Sequence, residues 1–339
     1  AGSRGTPKKK RLKNAAKAYL WAKKEMAHRA IFAAFDLYPS AKGAATHIHH
    51  SARALFDEMG GGLLYVLGNE QMPLRQEEAG GVEICRFSEP IANYLRRAAA
   101  YTWELEQRVA AERALELAHF RDLWSAMAIL PQAKGRMKTV FEVNALPSIE
   151  LPYRYDLPAK TLEKIRAIER QVLAESDQII VPSQVIADCV ERVHGVGREK
   201  IEKVSNGAEA LAEDLPELPA DLGRYILYFG ALQRWQGVDD LLRAMRQLED
   251  FEDVQLVVCS SNRANIAKPL RKFAEHLGVA ERVRWEYQLP KPLLQAYIRG
   301  AEVAVCPLKD CERNSVQGCS PLKIFESMAA GAAIVAGDL

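Results

Sequence analysis

Short apolar runs alternate with longer amphipathic stretches from Ile31 onward. The runs predict β-strands, and the stretches, in which apolar residues recur every three or four positions, predict helices. In the first half the predicted strands are IFAAFD (31–36), GLLYVLG, GVEIC, KTVFEVN and DQIIVP, and the predicted helices span 45–58, 91–118, 158–175 and 183–193. Strands that alternate with helices form a parallel sheet with helices on both faces.

The same pattern starts again after residue 223. Its predicted strands span 225–230, 254–259, 283–287, 303–307 and 333–337, and its predicted helices lie near 237–248, 266–277 and 291–299 and from Pro321. We therefore predict an α/β protein of two doubly wound, Rossmann-like parallel-sheet units. We divide the chain into a basic segment 1–30, a first unit 31–207, a linker 208–223 and a second unit 224–339.

Two further expectations concern the end of the second unit and the edges of the two sheets. No helix follows the last predicted strand, so we expect the second unit to be truncated. Ligands of open parallel sheets bind at the carboxyl ends of the strands, where loop amides and helix N-termini converge. We therefore expect the functional site in a cleft between the two units.

The composition is that of a globular protein. The chain is 48% apolar, 27% charged and 8% aromatic, which argues against disorder, a fibrous repeat or a membrane bundle. No apolar run approaches the ~18 residues of a spanning helix, and no signal-peptide core follows the basic start. Six scattered cysteines without a Cys-x-x-Cys pair are typical of a reducing compartment. We expect a cytoplasmic protein.

The first 30 residues carry most of the positive charge. They hold ten Lys or Arg and one acidic residue, Glu25, in a chain of net charge +2. Apolar residues from Leu12 to Ala27 follow a helical spacing, so we expect either a solvated tail or peripheral membrane association through residues 8–29, at the inner face of the membrane. The run PKKKRL also resembles a nuclear import signal. Nucleic-acid binding is not expected but remains a rival.

Three histidines in one stretch raise the question of a metal site. His47, His49 and His50 span only one helical turn and bring no carboxylate partner. Metal sites usually combine His with Cys or acidic ligands. We therefore expect solvated or capping histidines, no metal and no cofactor.

The segment CSPLKIFESMAAGAAIVAGD (319–338) carries the strongest local signal. Ser320 can cap a helix whose first turn contains Pro321. The apolar residues Leu322, Phe325, Met328 or Ala329, and Ala332 are spaced for one buried stripe. Lys323 adds a positive charge to a helix end that already attracts anions, which suits a diphosphate. Glu326, one turn further, can accept hydrogen bonds from a ribose. The alternative is an exposed Lys/Glu pair on a helix surface.

This segment resembles the nucleotide-sugar motif of the family 4 (group 1) retaining glycosyltransferases, whose versions read like SPLKxxEyMAxGxPVVA. Further segments resemble the family in the same order, namely YPSAKGAATHIHHSARAL, FEVNALP, VPSQVIADCVERVHGVGREKIEKVSNGAE and YFGALQRWQGVDDLLRAM. The resemblance implies a GT-B architecture, in which two Rossmann-like domains bind the acceptor on the first and the nucleotide sugar on the second.

The resemblance also implies roles for particular residues. It assigns catalysis to Arg121, Lys323 and Glu326. It assigns the donor to Gly230, Arg234, Ser320, Pro321, Leu322, Lys323 and Glu326. The acceptor side falls to Gly43, His47, His119, Glu142 and Asn144. For Gly43 a plain strand-to-helix turn, and for Arg121 a surface arginine, are the alternatives, and Glu142 and Asn144 could be buried strand-end groups.

Four positions depart from the family pattern. Gly318 stands where the Glu-x7-Glu motif has its first Glu. Ala231 and Gln236 replace the usual Arg and Lys after the first donor strand, and Tyr287 replaces a Gly. Arg234 and Lys323 are then the cations predicted to meet the diphosphate.

The sequence thus predicts a metal-independent glycosyltransferase that moves a sugar from a nucleoside-diphosphate sugar to a glycan or lipid-linked acceptor with retention of configuration. A sugar-nucleotide epimerase and a nucleotide-sugar-binding scaffold without turnover are the alternatives. The scaffold is permitted by the losses at Gly318, Ala231 and Gln236.

Overall fold

The computed structural model describes residues 27–339, and in it the two predicted units each form around their own parallel sheet. The predictions for residues 1–26, which include most of the basic segment, lie outside the described residues. None of the helices in the described part of the chain is long and apolar enough to cross a membrane.

The first unit is built on an eight-stranded sheet. Its strands are β1 (Ala30–Leu37), β2 (Gly62–Leu67), β3 (Arg75–Glu78), β4 (Val82–Phe87), β5 (Leu117–Phe120), β6 (Lys138–Glu142), β7 (Gln178–Val181) and β8 (Ile201–Lys203). Their order is β3-β4-β2-β1-β5-β6-β7-β8, and only β3 runs antiparallel to its neighbour. The helices are α1 (Gly43–Met59), α2 (Tyr94–Ala111), α3 (Leu123–Ala133), α4 (Pro147–Glu150), α5 (Ala159–Glu175) and α6 (Gln184–His194).

The two faces of this sheet bury different helices because side chains alternate along each strand. Ile31 and Ala33 of β1 join the larger core with residues of α2 and α3. Phe32 and Ala34 point the other way and pack with Ile48 and other residues of α1. Helices on both faces of a nearly all-parallel sheet are the predicted arrangement, and the fold class is confirmed.

The second unit has a five-stranded sheet of order β11-β10-β9-β12-β13, with every pair parallel. Its elements are β9 (Arg224–Gly230), α7 (Val238–Gln247), β10 (Val254–Ser260), α8 (Lys268–His276), β11 (Val283–Tyr287), α9 (Lys291–Gly300), β12 (Val303–Cys306), α10 (Leu322–Ala329) and β13 (Ile334–Ala336). Residues 204–223 connect the two units without a helix or strand.

The predicted helix 91–118 is wrong at its end. The helix α2 ends at Ala111, and Leu117–Phe120 form β5, which pairs with both β1 and β6. Strong helix formers continue past Ala111, so only the long-range pairing makes this segment a strand. Helix α3 was missed because it is apolar nearly all round, with eight buried residues, and therefore shows no helical period.

Candidate functional site

The carboxyl ends of the two sheets face one another across a cavity of about 370 Å³. The first unit contributes loops after β1, β5 and β6, and the second contributes loops after β9 and β12 and the start of α10. Direct hydrogen bonds join the two units beside it, since the Leu146 N–H donates to Gln317 Oε1 over 2.8 Å. The polar and charged residues that line the cavity include Asp36, His47, Arg121, Asp122, Asn144, Glu150, Arg154, Asn206, Gln236, Arg313 and Ser320.

Lys323 lies on the inner side of α10, 9% exposed. Its ammonium donates to Gln236 Oε1 over 2.6 Å and lies 4.2 Å from the centre of the Tyr228 ring. A Cβ built on Gly230 would lie 3.5 Å from Lys323 Nζ, so a larger residue there would narrow the approach to this ammonium. Burial lowers the pKa of Lys323 to about 8. Within the described residues it forms no ion pair with a carboxylate.

The start of α10 differs from its predicted form. The helix begins at Leu322, Pro321 is the N-cap residue, and no side chain caps the helix. Ser320 instead accepts a hydrogen bond at its backbone oxygen from Asn206 Nδ2, at 2.7 Å. The predicted apolar stripe is also wrong, because Met328 is 63% exposed while Lys323 and Ser327 are the buried residues of the helix. The polar side of α10 therefore faces inward.

Glu326 is placed apart from the cavity that Ser320 lines. It lines a second, larger and mostly apolar cavity of about 670 Å³, which also contacts α1, the linker and α9. Burial raises the pKa of Glu326, against the attraction of Lys291 and Lys323. The two cavities meet at shared lining residues: His47, Asn144, Pro182, Asn206 and Leu322.

Glu142, the last residue of β6, is the centre of the acceptor-side cluster. Arg121 Nε donates to its Oε1 over 2.9 Å, His119 Nε2 lies 3.2 Å from its Oε2, and the Asn144 amide contacts Oε1. Burial alone would raise the pKa of Glu142, but Arg121 and His119 hold it well below its usual range. The carboxylate is thus charged, with its hydrogen bonds concentrated on Oε1, while Oε2 faces only the His119 ring among the described residues.

Arg121 is neither a surface arginine nor a free phosphate ligand. Its side chain is 7% exposed, and besides Glu142 it donates to the Ala44 backbone oxygen over 3.1 Å. Asp36 lies at 4.0 Å. The guanidinium therefore lines the cavity with Nε and Nη1 already hydrogen-bonded to the protein.

His47 is not a solvated histidine. It lies on α1, with Nε2 2.9 Å from Asn206 Oδ1 and Nδ1 3.1 Å from Ser51 Oγ and 3.2 Å from Glu142 Oε1. Burial lowers the pKa of His47, an effect that Glu142 opposes. No group of three or more His, Cys, Asp or Glu side chains in residues 27–339 is arranged to hold a metal ion.

Gly43 belongs to the first turn of α1 and not to a loop with positive φ. A Cβ at this position would lie 3.3 Å from Leu322 Cδ1 of the second unit. The absence of a side chain therefore allows α1 and α10 to approach each other closely.

Two arginines that the sequence did not single out line the interdomain cavity. Arg154 follows α4, and Arg313 belongs to the turn Glu312–Val316 after β12. Their Cζ atoms lie 5.5 and 5.3 Å from the centre of the Trp235 ring. The structure leaves Arg234 exposed and outside the cavity. Single arginines in irregular segments carry no periodic signal, so only the fold could identify them.

The departures from the family pattern have structural reasons. Gly318 has φ +88°, and a Cβ there would lie 2.8 Å from Cβ and Cγ1 of Val185 in the first unit, so a Glu does not fit. Gln236, one of the departures from the family pattern, accepts a hydrogen bond from Lys323. At the end of β11, the left-handed backbone falls on Gln288 (φ 50°), one residue after Tyr287.

Comparison with known proteins agrees with this architecture. Residues 41–210 match the family model described as Glycosyltransferase Family 4, and residues 223–339 match the model described as Glycosyl transferases group 1. The two parallel-sheet domains with a cleft between their carboxyl edges define the GT-B class of fold. The chain belongs to the group 1 glycosyltransferases of family 4, as the motifs predicted.

Several curated relatives carry one name. D-inositol 3-phosphate glycosyltransferase of Corynebacterium glutamicum (strain R) is 25% identical over 232 residues, 64% of this chain and 51% of that protein. The protein of the same name from Xylanimonas cellulosilytica is 29% identical over 185 residues, 50% of this chain and 42% of its own length. The chain thus spans about half the length of the curated relatives it matches.

Solved structures resemble the fold over most of the chain. Sucrose-phosphate synthase from Thermosynechococcus elongatus has a TM-score of 0.72 at 18% identity and covers 91% of this chain and 81% of its own. WaaG, a glycosyltransferase involved in lipopolysaccharide biosynthesis, has a TM-score of 0.67 at 13% identity, with 91% and 80% covered. HepE of Anabaena, in complex with UDP and glucose, has a TM-score of 0.62 at 16% identity, with the same coverage.

Proposed function

We propose that this chain transfers a sugar from a nucleoside-diphosphate sugar to an acceptor hydroxyl with retention of configuration. The single observation that carries the proposal is the buried ammonium of Lys323 beside Gly230, at the start of α10 and without a carboxylate partner in the described residues. A desolvated cation next to uncapped helix amides suits a diphosphate. HepE, a structural neighbour, was solved with UDP and glucose, and a starch synthase was solved with ADP.

Lys323 would act on the leaving group. When the bond between sugar and diphosphate breaks, negative charge develops on the departing phosphate. A preorganised ammonium and the first N–H groups of α10 stabilise the transition state, which carries this charge, more than they stabilise the bound substrate. The activation barrier is therefore lower. No step in this account uses a metal ion, and metal independence remains a prediction.

The acceptor would enter from the first unit. Glu142 accepts hydrogen bonds from Arg121 and Asn144 at Oε1 and lies beside His119 at Oε2, so its carboxylate is poorly available as a nucleophile. This arrangement supports attack by the acceptor hydroxyl on the face that the leaving group vacates, which retains configuration. His47 and Asn144 line the cavity where that hydroxyl would lie.

We further propose that the acceptor carries a phosphate group. Arg154 and Arg313 line the same cavity from opposite units, and guanidinium groups bind phosphate through paired donors. Curated relatives are named for transfer to an inositol phosphate, which fits this charge. A lipid-linked glycan also carries phosphate, so this acceptor class, predicted from the sequence, agrees with the proposal of a phosphate-bearing acceptor. Membrane association through residues 8–29 remains a proposal.

A nucleotide screen followed by product analysis tests the function. We expect UDP or ADP to bind to the full chain with micromolar affinity in calorimetry, and a matching donor with a sugar phosphate to yield a product whose anomeric signal in NMR keeps the donor's configuration. Inversion would refute the retaining mechanism. Nucleotide binding without transfer under any donor would support the scaffold, and epimerised donor without acceptor would support the epimerase.

A further inference from the structure

Asn206 joins the two halves of the candidate site. It belongs to the connection after β8, and its side-chain amide has one partner in each unit. Asn206 Nδ2 donates to the Ser320 backbone oxygen over 2.7 Å, immediately before α10. Asn206 Oδ1 lies 2.9 Å from His47 Nε2 on α1. A single planar group thus contacts the acceptor side and the donor side.

The Ser320 carbonyl fixes the orientation of this amide. A carbonyl oxygen can only accept, so the NH2 group of Asn206 must face Ser320 and its oxygen must face His47. An amide oxygen also only accepts, so His47 Nε2 carries a proton. The tautomer of His47 is therefore set by the start of a helix in the other unit.

The two neighbours of the second ring nitrogen favour different tautomers. Ser51 Oγ lies 3.1 Å from His47 Nδ1 and can donate its hydroxyl proton to it. Glu142 Oε1 lies at 3.2 Å but already accepts from Arg121 and Asn144. The other charged or titratable groups that act on His47 are Arg121 and His119. Without Asn206, a neutral His47 would gain most by donating from Nδ1 to the Glu142 carboxylate, because that bond is charge-assisted.

We propose that Asn206 is a positioning residue that holds His47 as the Nε2–H tautomer and orients the Ser320–Pro321 peptide immediately before α10, so that the acceptor and donor halves of the site are set together. The consequence for turnover rests on the proposed function, but the two hydrogen bonds do not. Loss of Asn206 would change the tautomer of His47 and shift the backbone amides at the start of α10, although His47 and α10 themselves keep their sequence.

Two variants separate the two bonds. Asn206→Leu removes both, whereas Asn206→Asp keeps an acceptor toward His47 and places a carboxylate oxygen against the Ser320 carbonyl. The full chain, labelled with ¹⁵N in its seven histidines and in its backbone, reports both ends in NMR without any ligand. Asn69→Leu, in the loop after β2, is the matched control, since the Asn69 side chain accepts a hydrogen bond from the Gln71 N–H within its own turn.

In the wild type and in Asn69→Leu we expect the ring of His47 to show a protonated Nε2 and an unprotonated Nδ1. Asn206→Leu should reverse this pattern and move the amide signals of Leu322 and Lys323. Asn206→Asp should keep Nε2 protonated yet still move those amide signals. A wild-type His47 protonated at Nδ1 only, or a tautomer unchanged by Asn206→Leu, would overturn the proposal. Unmoved amide signals in both Asn206 variants would also overturn it.

Kinetics extends the test to the reaction. If turnover is found, Asn206→Leu should lower kcat at least tenfold with a smaller effect on the donor KM, because the side chain orients groups and does not itself hold the nucleotide. Asn206→Gln, which keeps the amide, should recover part of kcat. If no nucleotide binds the wild type, the proposed function fails, while the tautomer result still decides the positioning role.

Discussion

Lys323 and Gln236 form a 2.6 Å hydrogen bond between the inner side of α10 and the turn after β9. The family pattern places a cation at position 236, and this chain has an amide there. The amide oxygen holds the Lys323 ammonium over the Tyr228 ring at 4.2 Å without neutralising it. The ammonium is thus oriented but still charged, and two of the predictions below follow from that.

Removing the ammonium should weaken nucleotide binding. Lys323→Met keeps much of the side-chain volume but loses the charge-assisted contact, which is worth about 1.5–3 kcal/mol. We expect the Kd for UDP or ADP in calorimetry to rise at least tenfold. Lys272→Met, at an exposed position of α8, should bind like the wild type. Unchanged affinity in Lys323→Met would refute the phosphate assignment.

Nucleotide affinity should fall as the pH rises through the pKa of Lys323. This pKa lies at about 8, so the ammonium is charged at pH 7 and mostly neutral at pH 9. Only the charged form attracts the diphosphate, so the Kd for UDP should rise by about tenfold between these values. Lys323→Arg keeps its charge throughout and should give a flat profile. The same flat profile in the wild type would contradict the prediction.

Glu142→Gln should destabilise the first unit in a pH-dependent way. The variant leaves Arg121 buried without its carboxylate, which costs about 3–5 kcal/mol. Because the pKa of Glu142 is depressed in the folded state, its contribution is present above the ordinary pKa of about 4.3 and is lost as the pH falls further. Urea unfolding at pH 7 and pH 3.5 should therefore show a gap between wild type and variant that shrinks in acid.

A matched surface change provides the comparison for that experiment. Glu191→Gln, on an exposed position of α6, should change the free energy of unfolding by less than about 0.5 kcal/mol at either pH. A gap for Glu142→Gln that stays constant or widens in acid would show that the carboxylate is not charged in the folded protein.

Restoring the family's glutamate should harm this chain. In Gly318→Glu the new Cβ would meet Val185 at 2.8 Å on a backbone with φ +88°, so both strain and overlap arise. Strain and overpacking each cost about 1–3 kcal/mol. Gly278→Glu has a similar φ of +74° with open space around it, so it reports strain alone. The Tm of Gly318→Glu should fall clearly below that of Gly278→Glu, and equal values would show that the contact between the units is dispensable.

The sequence predicted the site best where a local pattern carried it. Lys323 lies near the start of a helix in a recognisable segment, and the structure places it beside Gly230. The direction in which α10 faces could not be predicted, because its apolar residues suggested burial of Met328 and the structure buries Lys323 and Ser327 instead. Helix periodicity gives a spacing, but the neighbouring strands decide which side is inside.

Long-range contacts account for the rest of what was missed. The cluster around Glu142 depends on β5 lying between β1 and β6, and β5 was predicted as the end of a helix. His47 was expected to be solvated because its partners Asn206 and Glu142 are distant in the chain. Arg154 and Arg313 come from different units and both lie over the Trp235 ring. None of these pairings leaves a trace in local spacing.

The inward-facing Lys323 is also expected to lower the thermal stability of the protein while it supports nucleotide binding. A desolvated ammonium without a carboxylate partner in the described residues lowers the free energy of unfolding of the protein without ligand. The depressed pKa of Lys323 reports the same cost, because burial disfavours the charged form in the folded state. Replacing it with an apolar side chain of similar volume should yield a chain that melts later but no longer responds to nucleotide. Selection for thermal stability alone would therefore favour loss of the Lys323 ammonium, on which nucleotide binding depends in this proposal.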